Sequence, residues 1–287
     1  MLSYAIVTPA RNECDNLLRL AESILNQTHR PADWVIVDDG SDDGMGKVAD
    51  ELVRRHSWIK VIGTGEPADD LAEGRRRGRD LLAFRRGLRA LPAPVDVFVK
   101  VDADTSFDDD YFERLLEHFA DQPDLGIGGG SCWEERDGAW ERIKVSGSHP
   151  RGASRAYRWA LYDEVFSLEP EMGWDGVDEV LAELRGYRTE GFQDIGFRHH
   201  RKVGEREGRT RAGSALGRQA WHMGYRPTYL VLRALYRARE DIASVAMLWG
   251  YAAAAATGAP RCSHPTVISR VRDRQRLRIV IRRGGWS

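Results

Sequence analysis

Two carboxylates one residue apart follow a strongly apolar segment in the middle of the chain. Residues 95–101 have the pattern of a buried strand, and Asp102 and Asp104 come directly after it. The two-residue period of a strand sends both carboxylates to one side, together with Lys100. Carboxylates so close repel each other, and a divalent cation or a raised pKa relieves the repulsion. Mg²⁺ or Mn²⁺ fits best, because hard cations take oxygen ligands and join carboxylates to phosphate; a solvated loop with a capping aspartate is the alternative.

Polar residues also follow the first two predicted strands. The first strand, 5–7, is followed by Arg11 and Glu13, and the second, 34–37, by Asp39. In open parallel sheets, ligands bind outside the carboxyl ends of the strands, where helix N-termini point into the crevice. Each run taken alone is also typical of a turn or a helix cap. Their recurrence at one edge of the sheet predicts a shared ligand site.

Strand and helix patterns alternate regularly from residue 5 to residue 130. This alternation predicts an α/β fold with right-handed crossovers and a mostly parallel sheet flanked by helices. From about residue 203 the chain becomes rich in glycine and arginine, and it then shows helical patterns without strands. The sequence therefore predicts a main domain over 1–205 and a helical C-terminal extension over 206–287.

The charge balance and the cysteines exclude several classes of protein. Lys and Arg number 43 against 44 Asp and Glu, so the net charge of -1 gives no reason to expect a nucleic-acid partner. The three cysteines are far apart and lack CxxC spacing, which argues against a disulfide framework and against a thiolate zinc site. The N-terminus has neither a basic region nor a cleavage site, which predicts a cytoplasmic protein.

One helical segment of the predicted extension is basic along one side. Arg226, Arg233 and Arg237 recur at i, i+7 and i+11, which places them on a single face. The face is either simply solvated or contacts anionic lipid headgroups or a lipid-linked diphosphate, as a peripheral protein at the inner face of a membrane would. The uncharged stretch 242–260 is mostly alanine and predicts a buried or interfacial helix rather than a transmembrane span.

Three separated motifs together resemble those of one enzyme family. They are residues 6–13, 37–43 and 101–104, which read IVTPARNE, VDDGSDD and VDAD. In this order they are similar to the motifs of the family-2 inverting glycosyltransferases of the GT-A fold, over about the first 200 residues. The resemblance implies transfer of a sugar from a nucleotide-diphosphate-sugar to an acceptor hydroxyl by direct displacement. The acceptor would belong to polysaccharide, glycolipid or lipid-linked saccharide synthesis.

The resemblance also implies roles for individual residues. The nucleoside pocket would be lined by Pro9, Arg11 and Glu13. Asp39 would bond the base, and Asp102 would hold the ribose side. Asp104 would bind the Mn²⁺ or Mg²⁺ that bridges the two phosphates of the donor. A histidine near residues 197–201 completes the metal shell in related enzymes, which makes His200 and His199 candidate ligands.

The family usually carries its catalytic base in an acidic motif further along the chain. At that point stands a short predicted helix with three acids in or before its first turns: Asp178, which we favour as the base, and Asp175 and Glu179. A carboxylate there would take the proton from the acceptor hydroxyl. The motif departs from the commoner Glu-Asp form, and the alternative is that these acids only stabilise the helix N-terminus.

Several further residues are weaker candidates for the donor site. A cluster of cations could reach the donor diphosphate: Arg75, Arg76, Arg77 and Arg79. Gly152 would permit close approach of the donor sugar. Trp174 adjoins the acids and would offer an aromatic face to a sugar, although tryptophans are first of all core residues.

Two other functions fit part of the sequence. Asp102 and Asp104 after an apolar strand also resemble the nucleophile motif of haloacid-dehalogenase-like phosphatases, but that motif normally follows the first strand. The phosphatase hypothesis also gives no role to Arg11, Glu13 and Asp39. The second alternative is a non-catalytic nucleotide-sugar-binding module that lacks a working base.

Overall fold

The computed structural model describes residues 1–64, 78–143, 149–201, 208–239 and 241–276. These residues form two compact units. Unit 1 contains the described residues of 1–64, 79–167 and 182–201, and unit 2 contains residue 78, residues 168–181 and the described residues from 208 onward.

Unit 1 is built on one nine-stranded sheet. Its strands are β1 (Tyr4–Ala10), β2 (Asp33–Asp38), β3 (Ile59–Gly63), β4 (Val97–Val101), β5 (Thr105–Phe107), β6 (Leu125–Arg136), β7 (Ala139–Arg142), β8 (Ser154–Arg158) and β9 (Arg188–His199). The order is β3-β2-β1-β4-β8-β6-β9-β5, with β7 paired to β6. The run β3-β2-β1-β4 is parallel throughout, and β6 and β9 also pair in parallel, whereas β8, β5 and β7 pair antiparallel.

Helices of unit 1 connect these strands. They are α1 (Cys14–Leu25), α2 (Met45–Arg55), α3 (Arg79–Arg89), α4 (Tyr111–Asp121) and α5 (Tyr162–Ser167). The helix α6 (Trp174–Leu184) begins in unit 2 and ends in unit 1. Strand β4 is buried along its whole length and β1 along nearly all of it. Strands covered on both faces read as continuous apolar runs, and for that reason the sequence revealed them. The predicted α/β class is confirmed.

The ladder between β1 and β4 ends before β1 itself does. The two strands pair only from Tyr4↔Val97 to Val7↔Lys100, whereas β1 and β2 stay paired as far as Ala10↔Asp38. Proline has no N–H to donate to a ladder. Pro9 therefore lies on β1 beyond the point where β4 would require its hydrogen bond.

The last strand of unit 1 includes one of the two candidate histidine ligands. Strand β9 runs through Phe197 and ends at His199. Two partners extend it: β6 pairs Glu134 with His199, and β5 pairs Thr105 with His199. The position of a strand end thus depends on long-range pairing, which local periodicity does not record.

The described part of unit 2 from residue 208 onward is helical. It contains α7 (Arg209–His222), α8 (Pro227–Arg237), a 3₁₀ turn (Ile242–Val245), α9 (Ala246–Ala256) and α10 (Pro265–Arg274). The predicted alanine-rich helix corresponds to the 3₁₀ turn and α9. None of the helices in the described ranges has the length and apolar character needed to cross a bilayer.

Glycines allow α7 and α9 to pack in very close contact. A Cβ added at Gly217 of α7 would overlap the Met247 carbonyl oxygen, and one added at Gly250 of α9 would overlap the Ser214 carbonyl oxygen. The overlapped atoms are backbone, so they cannot rotate away. The two helix backbones approach this closely only because neither position carries a side chain.

The close packing of α7 and α9 predicts that one methyl group added at Gly217 destabilises the protein. Gly217→Ala should lower the free energy of unfolding by about 1–3 kcal/mol, because overpacking outweighs the helix propensity that alanine adds. The matched control is Gly46→Ala in α2, where the nearest atom to an added Cβ is 4.0 Å away. Denaturant unfolding of both variants is the measurement. A Gly217→Ala protein as stable as Gly46→Ala would contradict the packing account.

Candidate functional site

The loops that follow β1 and β2 are fixed to each other by hydrogen bonds. The Asn12 N–H donates to Ser41 Oγ at 3.0 Å, and Asn12 Oδ1 accepts from the Asp42 N–H at 2.9 Å. The Cys14 N–H donates to Asp43 Oδ2 at 2.8 Å. Asn12 has a φ of 54°, a left-handed conformation that residues other than glycine seldom adopt and that the surrounding bonds must maintain. The neighbours of Asn12, Arg11 and Glu13, are therefore held in fixed positions.

Asp39 forms a buried ion pair with Arg79. Arg79 Nε donates to Asp39 Oδ2 at 2.9 Å, and Nη2 donates to Oδ1 at 2.6 Å. Both side chains are largely buried, and together with Thr64, Arg86 and Arg89 they line a cavity of about 220 Å³. Arg79 was predicted for the donor diphosphate, but the structure engages its guanidinium with Asp39. A ligand that approaches Asp39 would meet this guanidinium as well.

Arg201 joins two carboxylates from distant parts of unit 1. Its guanidinium donates to both carboxylate oxygens of Glu13 at 2.6 Å each, and Nη1 lies 3.0 Å from Asp104 Oδ2. The carboxylate of Glu13, which was predicted to line the nucleoside pocket, is held in this bidentate pair. The bridge places Glu13, after β1, beside Asp104, after β4.

His199 contacts the other oxygen of Asp104. Its Nε2 lies 3.4 Å from Asp104 Oδ1, and its Nδ1 lies 3.5 Å from Glu134 Oε1 on β6. Burial alone would lower the pKa of His199, but the carboxylates of Asp104 and Glu134 outweigh burial and raise this pKa to about 9. Burial would raise the pKa of Asp104, but His199 and Arg201 outweigh it, so that pKa is below its usual value.

The second histidine of the predicted pair occupies different surroundings. His200 Nε2 is 2.7 Å from Ser106 Oγ, and the imidazole lies edge-on to the ring of Trp140. Burial, followed by the charge of Arg19, lowers the pKa of His200 to about 4. Only its backbone N–H reaches Asp104, by a 2.8 Å bond to the carbonyl oxygen. The structure thus brings His199, rather than His200, to the Asp104 carboxylate.

The repulsion between Asp102 and Asp104 is relieved by cations of the protein itself. Lys100 Nζ bonds to Asp102 Oδ1 and, at 3.2 Å, to the carbonyl oxygen of Gly152. Asp104 pairs with Arg201 and His199 instead. Each acid is therefore compensated separately, and Gly152 contributes its backbone to the Lys100 side.

The donor atoms around Asp104 suit a hard divalent cation. Asp104 and Asp102 offer carboxylate oxygens, and the His199 imidazole next to Asp104 is a nitrogen ligand that Mn²⁺ accepts. Arg201 occupies one edge of the Asp104 carboxylate, so a cation bound there would share this acid with the guanidinium. Asp104 and His199 are ligand types that fit the predicted metal, and His199 would have to lose its proton to bind it. Asp102 is held by Lys100 in this structure, and among the described residues its carboxylate does not form a close ligand cluster with the other two.

Arg11, in the loop after β1, has a buried hydrogen-bond donor atom. Its Nε is buried and has no hydrogen-bond partner among the described residues. Buried donors are nearly always paired in folded proteins. A phosphate or nucleoside acceptor would satisfy this atom, as expected for a residue that lines a ligand pocket.

The acids predicted as catalytic bases lie on the first turns of α6, in unit 2. Asp178 and Glu179 are buried, Asp175 is half-buried, and Trp174 is buried at the start of the helix. None of these four residues is without a partner. Arg75, Arg76 and Arg77 lie outside the described residues.

Sequence reasoning missed two residues of the unit 1 site, Arg201 and Glu134. Arg201 follows the two histidines directly in the sequence. The histidines are candidate metal ligands and arginine is not, so the sequence pattern gave Arg201 no role. Glu134 lies at the end of a glycine-rich strand whose register is set by β9. Its buried carboxylate, with Arg151 3.4 Å away, could be recognised only after the strands were paired.

Comparisons with known proteins agree with this fold. The mannosyltransferase PcManGT from Pyrobaculum calidifontis, solved with GDP-Man and Mn²⁺, superposes with a TM-score of 0.60 at 18% identity, over 92% of this chain and 77% of that one. S. aureus TarS 1-349 with UDP-GlcNAc gives 0.55 at 14% identity, over 76% and 66%. These similarities define the fold as that of the GT-A glycosyltransferases.

Sequence comparison narrows the class to a family. The model of glycosyl transferase family 2 matches residues 5–162, more than half of the chain, and the chain belongs to this family. A polyprenol monophosphomannose synthase from Mycolicibacterium smegmatis is 29% identical over 203 residues. The match covers 66% of this chain and 63% of the relative, so the chain spans less than two thirds of that protein's length.

The Asp39–Arg79 pair predicts a defined loss of stability. Arg79→Ala leaves a buried carboxylate without its cation and should lower the free energy of unfolding by about 3–5 kcal/mol. Adding Asp39→Asn should restore part of that loss. The control is Arg54→Ala, whose exposed pair with Glu51 is screened by solvent and should change the free energy of unfolding much less. Equal losses in the Arg79 and Arg54 variants by denaturant unfolding would refute the pairing argument.

Proposed function

We propose that this protein is a divalent-metal-dependent glycosyltransferase that moves a sugar, with inversion, from a nucleotide-diphosphate-sugar to an acceptor. One observation carries the proposal: Glu13, His199 and Arg201 gather around Asp104, at the edge of the sheet where Asp39 and Arg11 also lie. Arg201 bridges Glu13 and Asp104, and His199 contacts the other oxygen of Asp104. The family match favours this activity over the phosphatase alternative.

Different residues of unit 1 would bind different parts of the nucleotide-diphosphate-sugar. Asp39 and Arg79 would face the base, and Pro9 and Arg11 would line the nucleoside pocket, with the unpartnered Arg11 Nε donating to the ligand. Asp104, Asp102 and His199 would hold Mn²⁺ or Mg²⁺, which neutralises the charge of the leaving diphosphate. Arg201 would keep Asp104 oriented through Glu13.

GDP-mannose is the donor suggested by two of the three similar proteins, whereas TarS was solved with UDP-GlcNAc. PcManGT was solved with GDP-Man, and the mycobacterial relative is named for mannose transfer. A guanine base offers N–H donors to a carboxylate, and Asp39 could accept them with the lone pairs that Arg79 leaves unused. This choice of donor is part of the proposal.

Two acceptor classes make different demands on the acids of α6. An acceptor hydroxyl must lose its proton as it attacks, and Asp178, or else Asp175 or Glu179, would take that proton. A polyprenyl phosphate acceptor, suggested by the relative's name, already carries a negative oxygen at neutral pH and needs no base. The identity of the acceptor therefore decides whether these acids are catalytic.

Three variants separate donor binding from catalysis. Asp104→Asn should abolish the Mn²⁺-dependent increase in melting temperature with GDP-mannose, since a ligand stabilises only the state that binds it. Asp178→Asn should keep that increase but lower transfer to a hydroxyl acceptor by about 10²–10⁴-fold. The control Asp124→Asn removes an exposed carboxylate paired with Arg188 and should change neither quantity.

The same measurements distinguish the alternatives. If Asp178→Asn transfers mannose to polyprenyl phosphate at the wild-type rate, the phosphate acceptor is correct and Asp178 is not a base for it. If neither GDP-mannose nor a UDP-sugar binds with Mn²⁺, the donor proposal fails. Turnover of p-nitrophenyl phosphate without donor hydrolysis would favour the phosphatase instead.

We also propose that unit 2 contacts a membrane surface, in keeping with a lipid-linked acceptor and a cytoplasmic location at the inner face. Val231 and Leu235 are exposed at i and i+4 of α8. Ile242, Val245 and Trp249 are exposed at i, i+3 and i+7 of the 3₁₀ turn and α9, and Trp249 is 74% exposed. Of the predicted basic face, Arg226 donates to the Arg272 carbonyl oxygen and Arg233 lies over the ring of Tyr225. Arg239, just beyond the end of α8, is an exposed cation that could contact anionic lipid.

Vesicle co-sedimentation of the full chain checks this surface. Vesicles that contain phosphatidylglycerol should retain the protein and phosphatidylcholine vesicles should not, and added salt should release it. Trp249→Ser should weaken retention. Leu18→Ser removes an equally apolar exposed side chain from α1 of unit 1 and should not. Equal binding of both variants would show that this surface is not the membrane contact.

A further inference from the structure

Three side chains with metal-ligating atoms meet in unit 2, outside the candidate donor site. Glu169 precedes α6, His222 is the last residue of α7, and Cys262 lies between α9 and α10. One ligand atom from each lies within 4.8 Å of the other two. We call these three residues the Cys262 cluster. Its members come from three separate segments, so their approach is a product of the tertiary fold.

The imidazole of the Cys262 cluster is buried and only partly compensated. His222 is 6% exposed, and its Nδ1 is buried without a hydrogen-bond partner in the described part of the chain. Its Nε2 lies 3.5 Å from Glu169 Oε2, a separation at the limit of a hydrogen bond. The long contact at Nε2 only weakly satisfies the imidazole and the carboxylate, and a metal ion between the two atoms would complete both.

The backbone holds the cluster in place. The Ser263 N–H donates to both carboxylate oxygens of Glu169 at 3.2 Å each, and the Cys262 N–H donates to the His222 carbonyl oxygen at 2.9 Å. These bonds orient the carboxylate and fix the thiol beside the imidazole. Hydrogen bonds of this kind are what orient the ligands of metal sites in proteins.

The chemistry of the donor set selects the metal. A thiolate, an imidazole and a carboxylate together are ligands for Zn²⁺, whereas Mg²⁺ and Ca²⁺ take oxygen alone. Bonds of about 2.0–2.2 Å to nitrogen and oxygen in a tetrahedral shell place those two atoms about 3.4 Å apart. The observed distance of 3.5 Å between His222 Nε2 and Glu169 Oε2 agrees with that spacing.

We propose that Glu169, His222 and Cys262 bind a zinc ion that joins three segments of unit 2. On binding, the Cys262 thiol releases its proton to solvent, and one thiolate and one carboxylate then balance the charge of Zn²⁺. Three protein ligands leave one position of a tetrahedral shell for a further ligand. The absence of CxxC spacing, which argued against a thiolate zinc site, excludes paired thiolates but not a site with a single cysteine.

Metal analysis of the full chain, purified without a histidine tag from zinc-supplemented medium, tests the proposal. The wild type should contain about one zinc per chain. Cys262→Ser and His222→Asn should each reduce this to less than about a tenth, because loss of one ligand breaks the site. The control is Cys132→Ser, since Cys132, Glu134 and His199 form a second group of such atoms in unit 1.

The zinc content of the wild type and of the two cysteine variants decides whether the Cys262 cluster binds zinc. Wild-type protein without zinc would overturn the proposal, and so would zinc that is lost from Cys132→Ser but kept in Cys262→Ser. Substitution with Co²⁺ provides a check that does not depend on how well the variants fold. The wild type should show a thiolate-to-cobalt charge-transfer band, and Cys132→Ser should retain it. Absence of that band in cobalt-loaded protein would exclude Cys262 as a ligand.

A chelator tests the structural consequence. If zinc joins the three segments, its removal should lower the melting temperature of the wild type, since bound metal stabilises only the folded state. The already zinc-free Cys262→Ser protein should melt at the same temperature with and without chelator. An equal decrease in both proteins would show that the metal acts elsewhere. None of these readouts depends on sugar transfer, so failure of the proposed function would leave this test intact.

Discussion

The candidate site of unit 1 depends on the compensation of buried negative charge by cations of the protein. Asp39, Glu13 and Asp104 are buried carboxylates, and a buried charge is tolerated only when it is paired. Arg79 pairs with Asp39, and Arg201 pairs with both Glu13 and Asp104. The guanidinium suits this role because its planar fork binds a carboxylate through two parallel hydrogen bonds. The positions of the acids are thereby set before any ligand binds.

The sheet provides the geometry that this compensation requires. Strands β1 and β4 separate after Val7↔Lys100, and the chain beyond that point carries Arg11 and Glu13 on one side and Asp102 and Asp104 on the other. The connection from β9 then returns to the same edge and places His199 and Arg201 against Asp104. The parallel strands at the centre of the sheet thus place the acids at one edge, and the end of β9 brings His199 and Arg201 to Asp104.

Close backbone approach contributes to the packing of unit 2. Gly217 and Gly250 let α7 and α9 approach until carbonyl oxygens occupy the space of side chains. The same unit places Glu169, His222 and Cys262 within reach of one another. Close helix packing and a metal that joins distant segments are complementary ways to stabilise a small helical unit, because each restrains loops that have little apolar surface to bury.

The sequence by itself determined the α/β class, the central strands and the helical character of the C-terminal part, because buried parallel strands and amphipathic helices leave periodic apolar patterns. It also identified the acids that follow β1, β2 and β4, since the carboxyl ends of parallel strands meet at one edge. Only the tertiary structure decided which partner each acid has. Arg79 pairs with Asp39, and Arg201 pairs with Glu13 and Asp104. His199, rather than His200, contacts the carboxylate of Asp104. Glu169, His222 and Cys262 lie tens of residues apart, and no local pattern records contacts made across such distances by strand register and helix packing.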